Sequence, residues 1–119
     1  MNTSSIENSL KDLNALVVEG KLMDAFEKYY HDDVVMQENA NNPVIGKAAN
    51  RQREIEFLNN IQEFRSASVN GVGVGADISF VVWSYDYTHK EWGVKNYTQV
   101  SVQNWKDGKI IKEQFFYGS

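Results

Sequence analysis

The sequence predicts an α+β fold: three N-terminal helices, with one early strand among them, packed on one face of a curved antiparallel sheet. Two observations carry this. Apolar residues recur at three- and four-residue spacing until about residue 62, then at every second position after Phe64. The two patterns are also segregated along the chain, which places helices on one face of a sheet instead of alternating with its strands. At 119 residues the chain is read as a single domain over 1–119.

The first helix opens at Ser4-Ser5-Ile6-Glu7, where Ser4 and Glu7 fit a capping box that satisfies two free backbone N–H groups. Ile6, Leu10, Leu13 and Val17 then form one buried stripe, and Gly20 suits the stop. A second helix, about 22–31, buries Leu22, Ala25, Phe26 and Tyr29 or Tyr30. Residues 34–38 alternate as a short strand, and Asn39-Ala40-Asn41-Asn42-Pro43 is turn chemistry. A third helix, about 47–62, turns Ile55, Leu58 and Ile61 inward. Four strands follow near 64–74, 77–88, 92–105 and 109–117 as an antiparallel meander. Asp107-Gly108 marks its last hairpin, since both turn positions need positive φ. Thr88-His89-Lys90-Glu91 makes a looser one.

Composition narrows the function. The net charge is -4 with no Lys/Arg run, which argues against a nucleic-acid partner, whose phosphates need clustered cations. There is no cysteine, so thiolate chemistry and disulfides are excluded. No apolar run reaches the length of a membrane span, and the N-terminus lacks an apolar signal core; a soluble cytoplasmic protein with no membrane partner is expected. Gly71-Val72-Gly73-Val74-Gly75 lacks the following helix of a phosphate cradle and reads as a bent or bulged strand. His31-Asp32-Asp33 reads as a helix end with solvated aspartates, because adjacent side chains diverge; no metal or other cofactor is expected.

The later strands carry apolar residues on both faces. One set runs through Phe80, Val82, Ser84, Asp86, Thr98, Val100 and Val102. The other runs through Trp83, Tyr85, Tyr87, Tyr97, Gln99, Ser101 and Trp105. A sheet covered by helices on one side has a second face to explain. The aromatic set is read as the outer face and as a homodimer interface anchored by Trp83, Tyr85, Tyr97 and Trp105. Glu38 shares its strand face with Val34 and Met36, and a carboxyl on an apolar face is either paired or holds its proton unusually tightly. Glu113 alternates with Ile111, Phe115 and Tyr117 in the same way. Two glutamates and a tyrosine converging on an apolar cavity suit proton transfer.

The stretches "GKLMDAFEKYYHDDVVMQENANNPVIGKAA" and "NWKDGKIIKEQFFYG" resemble the nuclear transport factor 2-like superfamily, and within it the SnoaL-like polyketide cyclases and ketosteroid isomerases. The marks are the glycine between the first helices, Asp-Asp-Val before the short strand, Pro-x-x-Gly before the third helix and Asp-Gly-Lys-Ile before the last strand. The resemblance implies a cone-shaped domain, a cystatin-like α+β roll, in which a strongly curved antiparallel sheet wraps round the three N-terminal helices and leaves a cavity at the open end. It sets Glu38 at the position of the isomerase general base, and Leu13 and Val100 where the isomerases carry their oxyanion-hole tyrosine and protonated aspartate. The fold hosts many chemistries, so two functions stay open. One is a small-molecule pocket working as an isomerase-, cyclase- or hydrolase-like acid–base enzyme, with Glu38, Glu113 and Tyr117 catalytic. Phe26, Tyr30, Met36, Leu58, Val100 and Phe115 would then line a site for a small apolar or partly polar ligand. The other is a non-catalytic dimeric domain for association or ligand binding.

Overall fold

The computed structural model describes Asn2 to Gly118. Helix α1 (Thr3–Val18) buries the predicted stripe of Ile6, Leu10, Leu13 and Val17. Each such side chain removed from water contributes about 1.5–3 kcal/mol. The cap differs from the one expected: Asn2 fills it, its side chain accepting the Ser5 N–H at 2.8 Å, so the helix begins one residue before Ser4. At the other end Gly20 takes φ 82°; its N–H reaches the Val17 carbonyl while Lys21 N–H reaches that of Leu16, the Schellman arrangement. Helix α2 (Leu22–Tyr29) ends two residues earlier than predicted. Strand β1 (Tyr30–Glu38) therefore starts at Tyr30, four residues earlier, and Tyr29 and Tyr30 are both buried, on different elements.

A two-residue strand β2 (Val44–Ile45), absent from the sequence reading, precedes helix α3 (Lys47–Asn59). The meander follows as β3 (Ile61–Gly75), β4 (Ile78–His89), β5 (Gly93–Lys106) and β6 (Lys109–Tyr117). Ile61 thus belongs to β3 and not to the third helix. The turn at Asp107-Gly108 has φ 55° and 82°, as the dipeptide requires. The sheet order is β2-β1-β6-β5-β4-β3. It is antiparallel except at its middle, where β1 and β6 run parallel, Met36 beside Glu113 and Glu38 beside Phe115. Three register shifts interrupt the long edge strand β3; the last, between Val69 and Gly71, falls at the head of the glycine run, whose own residues 71–75 pair with β4 without a break. Gly73 is required for a further reason: the Phe80 ring lies over it, and a Cβ there would sit 2.1 Å from Phe80 Cε2.

The sheet faces are the reverse of those predicted. Trp83 and Trp105 are 3% and 4% exposed, and Tyr85 packs against the same core, so the aromatic row faces the helices. Tyr97 stands on that inner face too, opposite Tyr85 in register. Phe80 and Phe116 are 44% and 43% exposed on the outer face, with Val82, Val100 and Val102 between them in register. The predicted dimer anchors are therefore interior residues. The inversion has a physical cause: the inner row carries Ser79, Gln99, Ser101 and Gln103 among its rings, and these bond to one another or to neighbours, so burial costs them little. No helix among the described residues is long and apolar enough to cross a membrane.

Candidate functional site

Because β1 and β6 run parallel, Glu38 and Tyr117 finish at the same end of the sheet. Asn39, with φ 50°, ties that end together. Its N–H donates to the Phe115 carbonyl at 2.7 Å, and its side-chain oxygen accepts the Tyr117 N–H at 3.0 Å. Helix α3 brings Arg53 alongside. Arg53 Nη1 lies 4.0 Å from Glu38, Nη2 lies 3.2 Å from Glu54, and the same nitrogen sits 3.7 Å from Met36 Sδ. Arg53 Nε is buried without a hydrogen-bond partner. A pocket of about 40 Å³ opens here between Met36, Glu38, Asn41, Asn42, Val44 and Arg53. That is room for a small polar head group or a few waters.

Glu38 is half-exposed at this rim, its side chain 45% accessible and facing Arg53 and Tyr117. It is thus a paired, water-reached carboxyl and not the buried one that its apolar strand face suggested. The more enclosed carboxyls are two others, Glu113 buried and Glu54 mostly so. Glu54, on α3, is pushed up by burial, with Glu38 adding repulsion and Arg53 opposing both. Glu113 is 2% exposed and is pushed up to about 7 by loss of hydration. Two hydrogen bonds work against that rise: Tyr30 donates its hydroxyl to Oε1, and Gln103 Nε2 donates to Oε2 at 3.0 Å. Tyr30, Tyr85 and Tyr97 are all pushed up by burial. Tyr117 rises for the same reason, helped by the nearby Glu38.

The structure therefore brings Glu38 and Tyr117 together and sets Glu113 one row deeper, beside Met36. Met36 lines the rim pocket, Phe115 lies beside Glu38 in register and packs partly buried against the core, and Leu58 lies half-buried on α3. Phe26 is core filling, 1% exposed and stacked on Tyr30 at 4.9 Å. Tyr30 is a hydrogen-bond partner of Glu113 more than a wall. Val100 points to the outer face, so it neither lines the site nor occupies an oxyanion position; Leu13 is plain core. Arg53, Glu54 and Gln103 were not read from the sequence. A signal for Glu54 existed, since Asn50, Glu54 and Leu58 recur at four-residue spacing and share a helix face. The inner rings form a ladder from Trp83 through Tyr85 and Tyr97 to Tyr117, with centroids 5.4–5.8 Å apart.

The chain matches the SnoaL-like domain family over residues 1–117 and belongs to it, within the nuclear transport factor 2-like superfamily. It is similar to a Mesorhizobium loti protein described as a candidate SnoaL-like polyketide cyclase, with carbohydrate phosphatase given beside that name. Identity is 31% over 94% of this chain and 98% of that one, with a TM-score of 0.85. A Bacillus subtilis protein described as a candidate isomerase shares the fold at 19% identity, covering 99% of this chain and 90% of that chain, with a TM-score of 0.79. A Xanthomonas campestris protein with a cystatin-like fold does so at 14% identity, covering 100% of this chain and 92% of that chain, with a TM-score of 0.83. No curated protein matches the chain.

Proposed function

We propose that this domain binds a small, partly polar organic molecule at the end of the sheet where β1 and β6 finish, and transfers a proton on it in the manner of an isomerase or cyclase. The observation that carries this is Arg53, a cation set between two carboxyls, which lines the rim pocket and whose Nε is buried and unpartnered. Glu38 is the base: its carboxylate takes a proton from the carbon beside a carbonyl, the C–H pair moves onto the carbonyl oxygen, and the proton returns at another carbon. Arg53 faces the developing negative oxygen, a role in which a fixed cation contributes more than bulk water does. Tyr117 donates a hydrogen bond at the rim. Glu113, behind Tyr30, acts as the deep acid of the site.

The test is a panel of small cyclic ketones in D₂O, with α-proton exchange followed by NMR. Wild type exchanges at least one of them faster than buffer, Glu38→Gln loses the excess, and Glu19→Gln, at the exposed C-terminal cap of α1, keeps it. Binding seen by saturation transfer without exchange would instead favour the non-catalytic reading.

A specific observation supports a partner as well. The outer face presents Phe80, Val82, Val100, Val102 and Phe116 in adjoining register. Its immediate neighbours there are the uncharged Ser84, Thr98, Asn104 and Gln114, with the charged Lys112 and Asp86 one position further out. A chain of net charge -4 meets a copy of itself most easily across a charge-free apolar patch. A second copy of this chain is the proposed occupant.

A further inference from the structure

The inner face holds a row of side-chain hydrogen bonds that crosses β4, β5, β6 and β1. Trp105 Nε1 donates to Ser79 Oγ at 2.8 Å, and Ser79 Oγ donates to Gln103 Oε1 at 2.6 Å. Gln103 Nε2 donates to Glu113 Oε2 at 3.0 Å, and Tyr30 donates to Glu113 Oε1 from the other side. Ser79 and Gln103 are cross-strand partners, as are Gln103 and Glu113, so the backbone register itself lines the groups up. Ser79, Gln103, Trp105 and Glu113 are all buried.

The direction of this row is fixed by the chemistry of its first member. An indole N–H can only donate, so Ser79 Oγ must accept from Trp105. Ser79 then has one proton left and, being buried, must spend it on the group opposite. That group is Gln103, whose amide must therefore turn its oxygen to Ser79 and its nitrogen to Glu113. Reversing the amide would leave the Ser79 proton facing an N–H₂ group with no acceptor, and a buried unpaired donor is costly. Glu113 thus meets a donor at each oxygen. A protonated carboxyl would bring a third donor into that space, relieved only by turning the Tyr30 hydroxyl.

We propose that Trp105 and Ser79 are positioning residues that act through Gln103 to hold the Glu113 carboxyl as a double acceptor. A row that favours the ionised carboxyl sets how readily the acid assigned above gives up its proton, and it rests on that reading only for this consequence in a reaction. The other charged and titratable groups that face Glu113 are Tyr30 on β1, Glu54 and Arg53 on α3, and Tyr85 on β4. None of them is altered by the changes below.

The experiment is a titration of the Glu113 side-chain carboxyl by ¹³C NMR, its signal assigned by its loss in Glu113→Gln. Ser79→Ala frees the Gln103 amide to turn, and Trp105→Phe removes the donor that sets the Ser79 proton. Each is expected to move the Glu113 midpoint upward from near 7 by about one pH unit, the scale of a charge-assisted hydrogen bond lost. Gln103→Leu, which removes the donor outright, moves it at least as far. A midpoint displaced in Gln103→Leu but unmoved in folded Ser79→Ala and Trp105→Phe overturns the proposal. So does a midpoint that all three leave in place. Should a variant fail to fold, wild type itself decides: the Trp105 indole N–H resonance titrates with the Glu113 midpoint if the row transmits, and a flat resonance overturns it. None of these readings depends on α-proton exchange, so the proposed reaction stands or falls separately.

Discussion

Replacing Glu113 by glutamine should make the protein more stable at high pH and leave it little changed at low pH. Glu113 is raised from its ordinary 4.5 to about 7 by burial. The folded state therefore keeps a proton that the unfolded chain releases from about pH 4.5 upward. Stability owed to that proton is whole below the unfolded value and is lost as pH rises through 7. The interval between 4.5 and about 7 corresponds to about 3 kcal/mol at about 1.4 kcal/mol per pH unit. Roughly 2–3 kcal/mol of it falls between pH 5 and pH 9. Glutamine has the shape of the protonated acid, so it carries no such dependence. Its oxygen can accept from Gln103 while its amide donates to the Tyr30 oxygen. Urea unfolding of both proteins at pH 5 and pH 9 measures the difference. The mutant's advantage should grow by that amount towards pH 9, or by roughly 10 °C in melting temperature for a chain of this size. Two unfolding curves that keep a constant separation at both pH values would refute the reasoning, and with it the burial of an ionisable Glu113.

Two further outcomes concern the outer face. Gly73→Ala should cost about 1–2 kcal/mol, because the new methyl displaces the Phe80 ring, and the cost should largely vanish in a Phe80→Ala background. Equal costs in the two backgrounds, by chemical denaturation, would show that the ring does not need the glycine. Wild type should sediment as a dimer at micromolar concentration and Val100→Asp as a monomer, since the substitution sets like charges against each other across a two-fold. A monomeric wild type removes the proposed interface.

Local patterns made the helices and most strands legible. The stripe of Ile6, Leu10, Leu13 and Val17 has a single helical solution, and Asp107-Gly108 has a single turn solution. The orientation of the sheet was not legible in the same way. Period two says that Val100 and Gln99 face opposite sides, but not which side is inside. Hydropathy favours burying Val100, whereas the fold buries Gln99, Ser101 and Gln103, because partners along β5 and on its two neighbouring strands satisfy them. Such partners are invisible until the register is known. The site suffered likewise. Glu38 was found from its strand, but its exposure depends on where α3 sets Arg53. Glu113 was found from alternation, and its isolation from water became clear only with Tyr30 and Gln103 in place.

The parallel pairing of β1 with β6 bears on how the chain reaches this structure. β6 is the last strand in chain order yet lies in the middle of the sheet, with β1 on one side and β5 on the other. Until it docks, β1 with β2 is one piece of sheet and the β3–β5 meander another, joined only where helices pack against both, as α1 does against β3. Partners such as Met36 and Glu113 are far apart in sequence, so closing this seam costs much chain entropy before it returns any contact. On the ribosome, the sheet cannot be completed until residues 109–117 have cleared the exit tunnel. Glu113 lies on that strand, so its carboxyl leaves water only as the two pieces join.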